Sequence, residues 1–370
     1  EIPPETLAEE TDIQLREPGG YDRPAADSES INRGARILVG ATNPLIWVGG
    51  GAISSHASEP LLRVAEHLQA PVVATTEGKG AISDRHYLSL GVAKTPTEHQ
   101  REELSRHDVI LAVGTRLANP NLLDSQQVVQ IDIDEEEIGR NYENTIGLVG
   151  DARRTLEELY AVLSATARAK PSRKAELEAL KARWVQASNK VEPQDSFTAA
   201  IRAAMPDDGI LVAGMTQIGY YSRTDYPVYE PGTYLTSSYF GNLGFAYPVA
   251  LGAKVARPDA AVVAVSGDGG FLFNSQELAT AVQYGINAVV VVFNDNAYGN
   301  VLRVQMEEFN GHVAGTQLHN PDFVALAKIY GARGVRADGA GELEAALKTA
   351  IDSDELTVIE VPVDAMKRRY

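Results

Sequence analysis

Residues 260–299 decide the fold, and they read AAVVAVSGDGGFLFNSQELATAVQYGINAVVVVFNDNAYG. Two strongly apolar runs, at 260–266 and 286–293, flank a segment at 271–284 that has the pattern of a helix. Apolar runs of this length are typical of strands that are buried on both faces of a parallel sheet. The stretch therefore predicts a βαβ unit, whose crossover is right-handed.

An acidic residue follows each of the two predicted strands. Asp268 and Asp295 both lie at the carboxyl end of a strand, which is where open α/β sheets bind their ligands. Two carboxylates in one crevice repel each other unless a cation lies between them, and Mg²⁺ prefers one or two carboxylates together with phosphate oxygens. Gly269 and Gly270 allow backbone amides to approach an anion closely. The pattern predicts a diphosphate held through Mg²⁺; the alternative is a tight turn without a ligand.

The same alternation of apolar and amphipathic segments extends over most of the chain and predicts an α/β protein with two doubly wound parallel-sheet domains. Helices are predicted at 59–68 and 152–165. Further strands are predicted at 44–48, 70–74, 108–113, 128–133, 209–213 and 356–363. The predicted organisation is a linker from an upstream domain, a central α/β domain, a linker helix and a diphosphate-binding α/β domain, at 1–25, 26–168, 169–189 and 190–370.

Composition excludes several classes of function. The 370 residues include 33 Lys and Arg against 50 Asp and Glu, a net charge of −17, so neither nucleic acid nor an anionic membrane is an expected partner. The absence of cysteine excludes disulfides, thiol nucleophiles and cysteine-based metal sites, and we expect a cytoplasmic protein. The chain starts at Glu1 without Met or signal-peptide features, so we expect it to be the edge of a longer protein.

The segment 267–296 resembles the diphosphate motif of the thiamine-diphosphate-dependent enzymes, in the branch of acetolactate synthases and 2-oxo acid decarboxylases. The resemblance implies that Asp268 and Asp295 donate side-chain oxygens to Mg²⁺ and that Ala297 donates its carbonyl. Many members of the family have Asn at the position of Asp295, so this site would be one charge more negative.

Other segments resemble the same family and imply the rest of the cofactor site. The Gly241 carbonyl would accept a hydrogen bond from the aminopyrimidine, and Leu243 would be the apolar wedge that bends the cofactor. The strand-end loop at 215–217 would contact the diphosphate through Met215, Thr216 and Gln217. The remaining cofactor-binding residues implied are Gly267, Gly269, Gly270, Asn296 and Tyr298. Residues 130–139 resemble part of the family's central domain.

The resemblance implies cleavage or formation of a carbon–carbon bond at a 2-oxo acid, in a homodimer or homotetramer. These 370 residues do not match the family's pyrimidine-binding domain or its activating glutamate, so no catalytic residue is assigned and we expect the chain alone to be inactive. We also expect no FAD, because the flavin-holding acidic–basic pattern is missing around 117–120 and Val304 replaces a usual Trp. The glycines at 49–51 are interpreted as a strand-to-helix turn.

Two other functions stay open from the sequence. One is a catalytically silent binding or regulatory protein that keeps the cofactor fold. The other is a module for a different diphosphate, such as a nucleotide. The sequence does not identify the 2-oxo acid, and it leaves decarboxylation and ligation equally open.

Overall fold

Two six-stranded sheets, in which every pair of neighbouring strands is parallel, form the framework of the chain in a computed structural model. The predicted α/β class with two doubly wound sheets is confirmed, while the four predicted domain boundaries stay a prediction. The structure describes residues 3–7, 9–12, 14, 22–93, 96–118, 122–187 and 190–366.

The first sheet has the strand order β3-β2-β1-β4-β5-β6. Its strands are β1 Leu45–Val48, β2 Val72–Ala74, β3 Ser89–Val92, β4 Val109–Val113, β5 Gln127–Asp132 and β6 Thr145–Val149. The helices that precede or connect them are α1 Pro4–Leu7, α2 Ser28–Gly40, α3 Gly50–Ser54, α4 Ser58–Leu68, α5 Glu98–Leu104 and α6 Ala152–Thr166, with a 3₁₀ turn at Glu135–Glu137.

Helix α7, Lys174–Gln186, follows the first sheet and lies within the predicted linker helix. Leu177, Leu180 and Trp184 form the buried stripe that their helical spacing predicts, and they join the apolar core of the first sheet.

The second sheet has the order β11-β12-β10-β9-β7-β8. Its strands are β7 Ile210–Ala213, β8 Tyr234–Thr236, β9 Val262–Gly267, β10 Val289–Asn294, β11 Arg333–Arg336 and β12 Thr357–Pro362. Its helices are α8 Gln194–Ala204, α9 Gln217–Asp225, α10 Ala246–Ala256, α11 Asp268–Leu272, α12 Glu277–Tyr284, α13 Gly299–Glu308, α14 Phe323–Tyr330 and α15 Ala340–Ser353. Among the described residues, no helix is long and apolar enough to cross a membrane.

Both faces of the second sheet are buried, which explains its continuous apolar strands. Leu211 and Ala213 of β7 pack into one core cluster, while Ile210 and Val212 pack into another. Because successive side chains point to opposite faces, burial on both sides favours apolar residues at consecutive positions. Strands β9 and β10 lie side by side in parallel register, so their carboxyl ends meet at one edge.

The prediction of a single helix over 271–284 is wrong. The structure has two helices, α11 and α12, separated by residues 273–276. Asn274 lies in this break, and its Nδ2 donates to the Gly244 carbonyl at 2.6 Å. The Asn274 side chain thus bonds a backbone carbonyl of a distant segment, and the helix is interrupted at this residue.

Asp84 connects three parts of the chain. Its Oδ2 accepts from the Val228 N–H at 2.8 Å, and its own N–H donates to the Val228 carbonyl at 2.9 Å. Its Oδ1 accepts from Ser89 Oγ at 2.8 Å, and its carbonyl accepts from Lys181 Nζ on α7. Asp84 therefore joins the first sheet, the helix α7 and the segment that precedes β8.

We expect Asp84→Ala to lower the free energy of unfolding by about 1–3 kcal/mol, because the substitution leaves the buried Val228 N–H without its acceptor. Urea unfolding monitored by circular dichroism measures the change. Alanine at Asp124, an exposed aspartate in a turn, is the control and should leave the midpoint in place. Equal midpoints for the two variants would contradict the role given to Asp84.

Candidate functional site

A cavity of about 280 Å³ lies at the carboxyl ends of β7, β9 and β10. The order of the second sheet reverses between β7 and β9, because β8 continues outward from β7 while β10 continues in the other direction from β9. A reversal of this kind opens a crevice above the sheet, and ligands of open α/β sheets bind there.

Asp268 begins α11 at the floor of this cavity and is only 2% exposed. Its Oδ1 accepts from the Gly269 N–H at 2.8 Å. Its Oδ2 accepts from the Ala297 N–H at 3.2 Å and from Asn320 Nδ2 at 2.6 Å. Three donors therefore hold the carboxylate in one orientation.

Asp295 lies opposite, directly after β10. Its Oδ1 accepts at 3.3 Å from the same Ala297 N–H that donates to Asp268. One backbone N–H thus brings the two carboxylates together. The Ala297 carbonyl is not used by the bridge between Ala297 and Gln317, since that bridge bonds the neighbouring Asn296 carbonyl and Tyr298 N–H.

Burial raises the pKa of both carboxyls, and like charge adds to the rise at Asp295 alone. Burial raises the pKa of Asp268 above its ordinary value, although the hydrogen bonds from Gly269, Asn320 and Ala297 oppose the change. Burial first, and then the charge of Asp268, raise the pKa of Asp295 to about 6. The contribution of Asp268 to the shift at Asp295 indicates that the two carboxylates repel each other in this crevice.

Two glycines make room for this arrangement. A Cβ on Gly269 would lie 2.4 Å from Cε1 of the Tyr298 ring, so the ring packs directly over the start of α11. A Cβ on Gly299 would lie 2.3 Å from Asp295 Oδ2, so only glycine lets α13 start beside that carboxylate. Both positions exclude larger side chains for steric reasons.

All of the predicted cofactor and metal residues line this cavity except Asn296. Asn296 is exposed and has a left-handed backbone with φ of 55°, which asparagine tolerates well. The structure thus brings together residues from the loops at 215–217, 241–243, 267–270 and 295–298. Their individual roles toward a cofactor stay a prediction.

Sequence reasoning missed an outer layer of the site. Asn320 bonds Asp268, and the segment 316–318 pairs with 296–298 through the Tyr298 N–H to Thr316 carbonyl bond of 2.8 Å and the Leu318 N–H to Asn296 carbonyl bond of 2.8 Å. Tyr220 and Asn300 also line the cavity. Nothing in the local sequence marks these residues, since their proximity to Asp268 arises only from the tertiary fold.

The described residues hold no cluster of three or more His, Cys, Asp or Glu side chains arranged to bind a metal. The pair Asp268 and Asp295 is therefore short of a complete protein-only metal site. A pair of carboxylates suits Mg²⁺ when phosphate oxygens of a ligand and water supply the remaining positions of its octahedron. The donor set therefore fits an Mg²⁺–diphosphate.

A second cavity, of about 740 Å³, lies at the carboxyl ends of strands in the first sheet. Gly49 and Gly51 line it, and a Cβ on either residue would meet the Gly114 backbone, at 2.3 Å and 2.8 Å respectively. This close approach explains the glycines as a tight strand-to-helix turn. Leu117 and Ala118 also line the cavity, whereas residues 119 and 120 lie outside the described residues. The absence of flavin stays a prediction.

Comparison with known proteins identifies the class. Residues 213–361 match the model of the C-terminal binding domain of thiamine pyrophosphate enzymes, and residues 31–159 match the model of their central domain. The chain belongs to the thiamine pyrophosphate enzyme family. The cavity with Asp268 and Asp295 lies within the matched C-terminal domain.

Enzymes of two kinds are among the curated relatives. The chain is 33% identical to a probable acetolactate synthase large subunit of Methanocaldococcus jannaschii, covering 94% of this chain and 62% of the relative. It is 32% identical to the acetolactate synthase isozyme 3 large subunit of Escherichia coli, with 92% and 62% covered. A probable 2-ketoarginine decarboxylase of Pseudomonas aeruginosa is 31% identical, with 90% and 60% covered. The chain thus spans about three fifths of these relatives.

The raised pKa of Asp295 predicts a pH-dependent stability in the absence of metal. The folded chain holds the Asp295 proton more tightly than the unfolded chain, so this contribution to stability is present below about pH 4 and is lost as pH rises to about 6. We expect Asp295→Asn to unfold at a higher temperature than wild type at pH 7 in EDTA, with the difference shrinking toward pH 4. Thermal melts across this range measure it, and a constant difference would contradict it.

Proposed function

We propose that the chain binds thiamine diphosphate through Mg²⁺ at the carboxyl edge of its second sheet, and that it serves carbon–carbon bond cleavage or formation at a 2-oxo acid. The observation that carries the proposal is the convergence of Asp268 and Asp295 on the Ala297 N–H. Family membership and relatives named as synthases and decarboxylases support it.

Asp268 and Asp295 would hold the metal, and the Ala297 carbonyl would be the third protein ligand. A divalent cation between the two carboxylates removes the repulsion that raises the pKa of Asp295. The hydrogen bonds that fix Asp268 keep its remaining lone pairs available to the cation. The metal in turn would hold the diphosphate against the glycines at 267, 269 and 270, whose lack of a side chain lets the ligand approach the backbone.

The rest of the cofactor would extend from the diphosphate toward Leu243 and Gly241. Leu243 is half-buried and lines the cavity, which suits an apolar support beneath the middle of the cofactor. Gly241 has a left-handed backbone with φ of 58°, and its carbonyl would accept from the aminopyrimidine. When bound, the cofactor itself supplies the nucleophilic carbon and stabilises the carbanion. The protein residues bind and orient it.

We further propose that a pyrimidine-binding domain, on the same or another polypeptide, covers the open side of this cavity. Phe240 is 89% exposed, directly beside Gly241, whereas the exposed Tyr239 lines the second cavity and has the Arg116 guanidinium 4.7 Å from its ring centroid. Gly244 follows Gly241 by three residues, and Phe273 packs against it. The Phe273 side chain is 55% exposed. Exposed apolar groups that border a ligand site favour a docking partner. The covering domain would supply the activating acid and exclude water.

We expect Asp268→Ala to abolish Mg²⁺-dependent binding of thiamine diphosphate. The one remaining carboxylate is too little to neutralise the cation or to hold it in position. Asp295→Asn should bind more weakly than wild type but measurably, since an amide oxygen still ligates. Isothermal titration calorimetry measures both, with EDTA as the metal-free control. Undiminished binding by Asp268→Ala would refute the site, and binding of ADP without thiamine diphosphate would favour a nucleotide-binding function.

We expect the 370 residues alone to show no turnover of pyruvate or other 2-oxo acids, because no residue among them matches the activating glutamate. Adding a polypeptide that carries the pyrimidine-binding domain should produce activity together with dimers or tetramers. Steady-state assays and light scattering measure the two effects, and Asp268→Ala in the same mixture is the control. Robust turnover by the chain alone would mean that the activating acid lies within it.

A further inference from the structure

A chain of hydrogen-bonded side chains runs from Asp268 to the outer edge of the second sheet. Asn320 Nδ2 donates to Asp268 Oδ2 at 2.6 Å and to Asn294 Oδ1 at 2.8 Å. Asn294 Nδ2 donates to Glu360 Oε1 at 2.8 Å. Arg336 Nη2 donates to Glu360 Oε2 at 2.8 Å. Every link has one donor and one acceptor.

We propose that Asn320 is a positioning residue of the metal site, and that Glu360 fixes the direction of its amide through Asn294. The inference rests on the proposed function, because the carboxylate that it positions is the proposed Mg²⁺ ligand Asp268.

The direction of each amide follows from the Glu360 end. Glu360 is only 3% exposed and is paired with Arg336, and its carboxylate offers acceptors alone. Asn294 must therefore turn its Nδ2 toward Glu360, which leaves its Oδ1 facing the other way. That oxygen accepts from the Asn296 N–H at 3.2 Å as well as from Asn320. With the Asn294 amide reversed, two donors would face its nitrogen.

Asn320 lies between two acceptors, Asp268 Oδ2 and Asn294 Oδ1, and meets both with its single Nδ2. Its own Oδ1 is buried and has no hydrogen-bond partner among the described residues. A buried acceptor without a hydrogen bond is destabilising. The Asn320 amide keeps this orientation because its Nδ2 makes two hydrogen bonds that the reversed amide would lose. Through these two bonds, Asn320 Nδ2 supplies a donor to both Asp268 Oδ2 and Asn294 Oδ1.

The consequence for the metal site is a fixed Asp268 carboxylate. Asn320 and the Ala297 N–H both bond Oδ2, and the Gly269 N–H bonds Oδ1, so the carboxylate plane cannot rotate. Groups that orient a metal ligand in this way are worth about 10–100-fold in metal affinity. A reversed Asn320 amide would instead place an oxygen against Asp268 and repel it.

The first test is Asn320→Ala, examined by calorimetric titration of Mg²⁺ and thiamine diphosphate into the full chain. We expect the dissociation constant to rise by about tenfold or more. The thermal midpoint without ligand is measured in parallel. A lower midpoint with unchanged affinity would reduce Asn320 to a structural residue and overturn the proposal.

The second test uses the donor-to-acceptor direction of the hydrogen bonds between Glu360 and Asp268. The substitution Glu360→Gln replaces the buried carboxylate with an amide of the same shape, so the variant should fold. The charged Arg336 takes the amide oxygen, because charge-assisted hydrogen bonds are stronger, so the new nitrogen faces Asn294 and reverses it. We expect weaker binding, by about tenfold. Adding Arg336→Ala frees the oxygen to accept from Asn294 and should restore affinity. If the double variant binds Mg²⁺ and thiamine diphosphate no better than Glu360→Gln, the proposed role of Glu360 in fixing the Asn320 amide is overturned.

Arg333→Ala is the matched control. Arg333 lies on the same strand as Arg336 and also forms an ion pair, with the exposed Glu355 at 3.4 Å, but no described hydrogen bond connects this pair to Asp268. The Arg333→Ala variant should bind Mg²⁺ and thiamine diphosphate with the same affinity as wild type. If wild type itself binds no thiamine diphosphate with Mg²⁺, the proposed function fails; if wild type binds and the affinities of Asn320→Ala and Glu360→Gln are unchanged, only this inference fails.

Discussion

Two carboxylates, the buried Asp268 and the half-buried Asp295, share one backbone N–H, and this is the constraint on which the rest of the site depends. Asp268 and Asp295 both accept from Ala297, and the fold neutralises neither of them with a cation of its own among the described residues. Such a pair is unfavourable unless a ligand brings positive charge. The glycines at 269 and 299 leave room for the Tyr298 ring and the Asp295 carboxylate, which a Cβ would approach to 2.4 Å and 2.3 Å respectively. The arrangement is thus built for a ligand at some cost to the empty protein.

The parallel sheet makes this convergence possible. Strands β9 and β10 are neighbours in register, so the residues that follow them emerge at the same edge. Burial on both faces fixes the strands firmly, and the polar residues that cannot enter the core collect at the ends. Behind them, Asn320 donates to Asp268, the segment 316–318 pairs with 296–298, and Glu360 of β12 accepts from Asn294. The site therefore has an inner layer set by strand ends and an outer layer set by distant segments.

The strands at the edges of the two sheets could not be predicted from apolar sequence patterns. The four strands that the sequence does not predict, β3, β6, β8 and β11, are the outermost strands of the two sheets. Three of these four are only partly buried, so they need no continuous apolar run. The break between α11 and α12 was missed for a related reason, since Asn274 in this break bonds Gly244, thirty residues away in the chain.

The sequence by itself determined the α/β class, the central strands and the acidic residues at the ends of β9 and β10, because burial on both faces and the glycine turns leave a local pattern. Only the tertiary structure decided that Asn320, Asn294 and Glu360 form one chain with Asp268. Residues 294, 320 and 360 are far from residue 268 in the sequence, and nothing in the local sequence of Asn294, Asn320 or Glu360 indicates a connection to Asp268. Their partners, and hence the direction of each hydrogen bond, arise only where the strands and the returning segment meet.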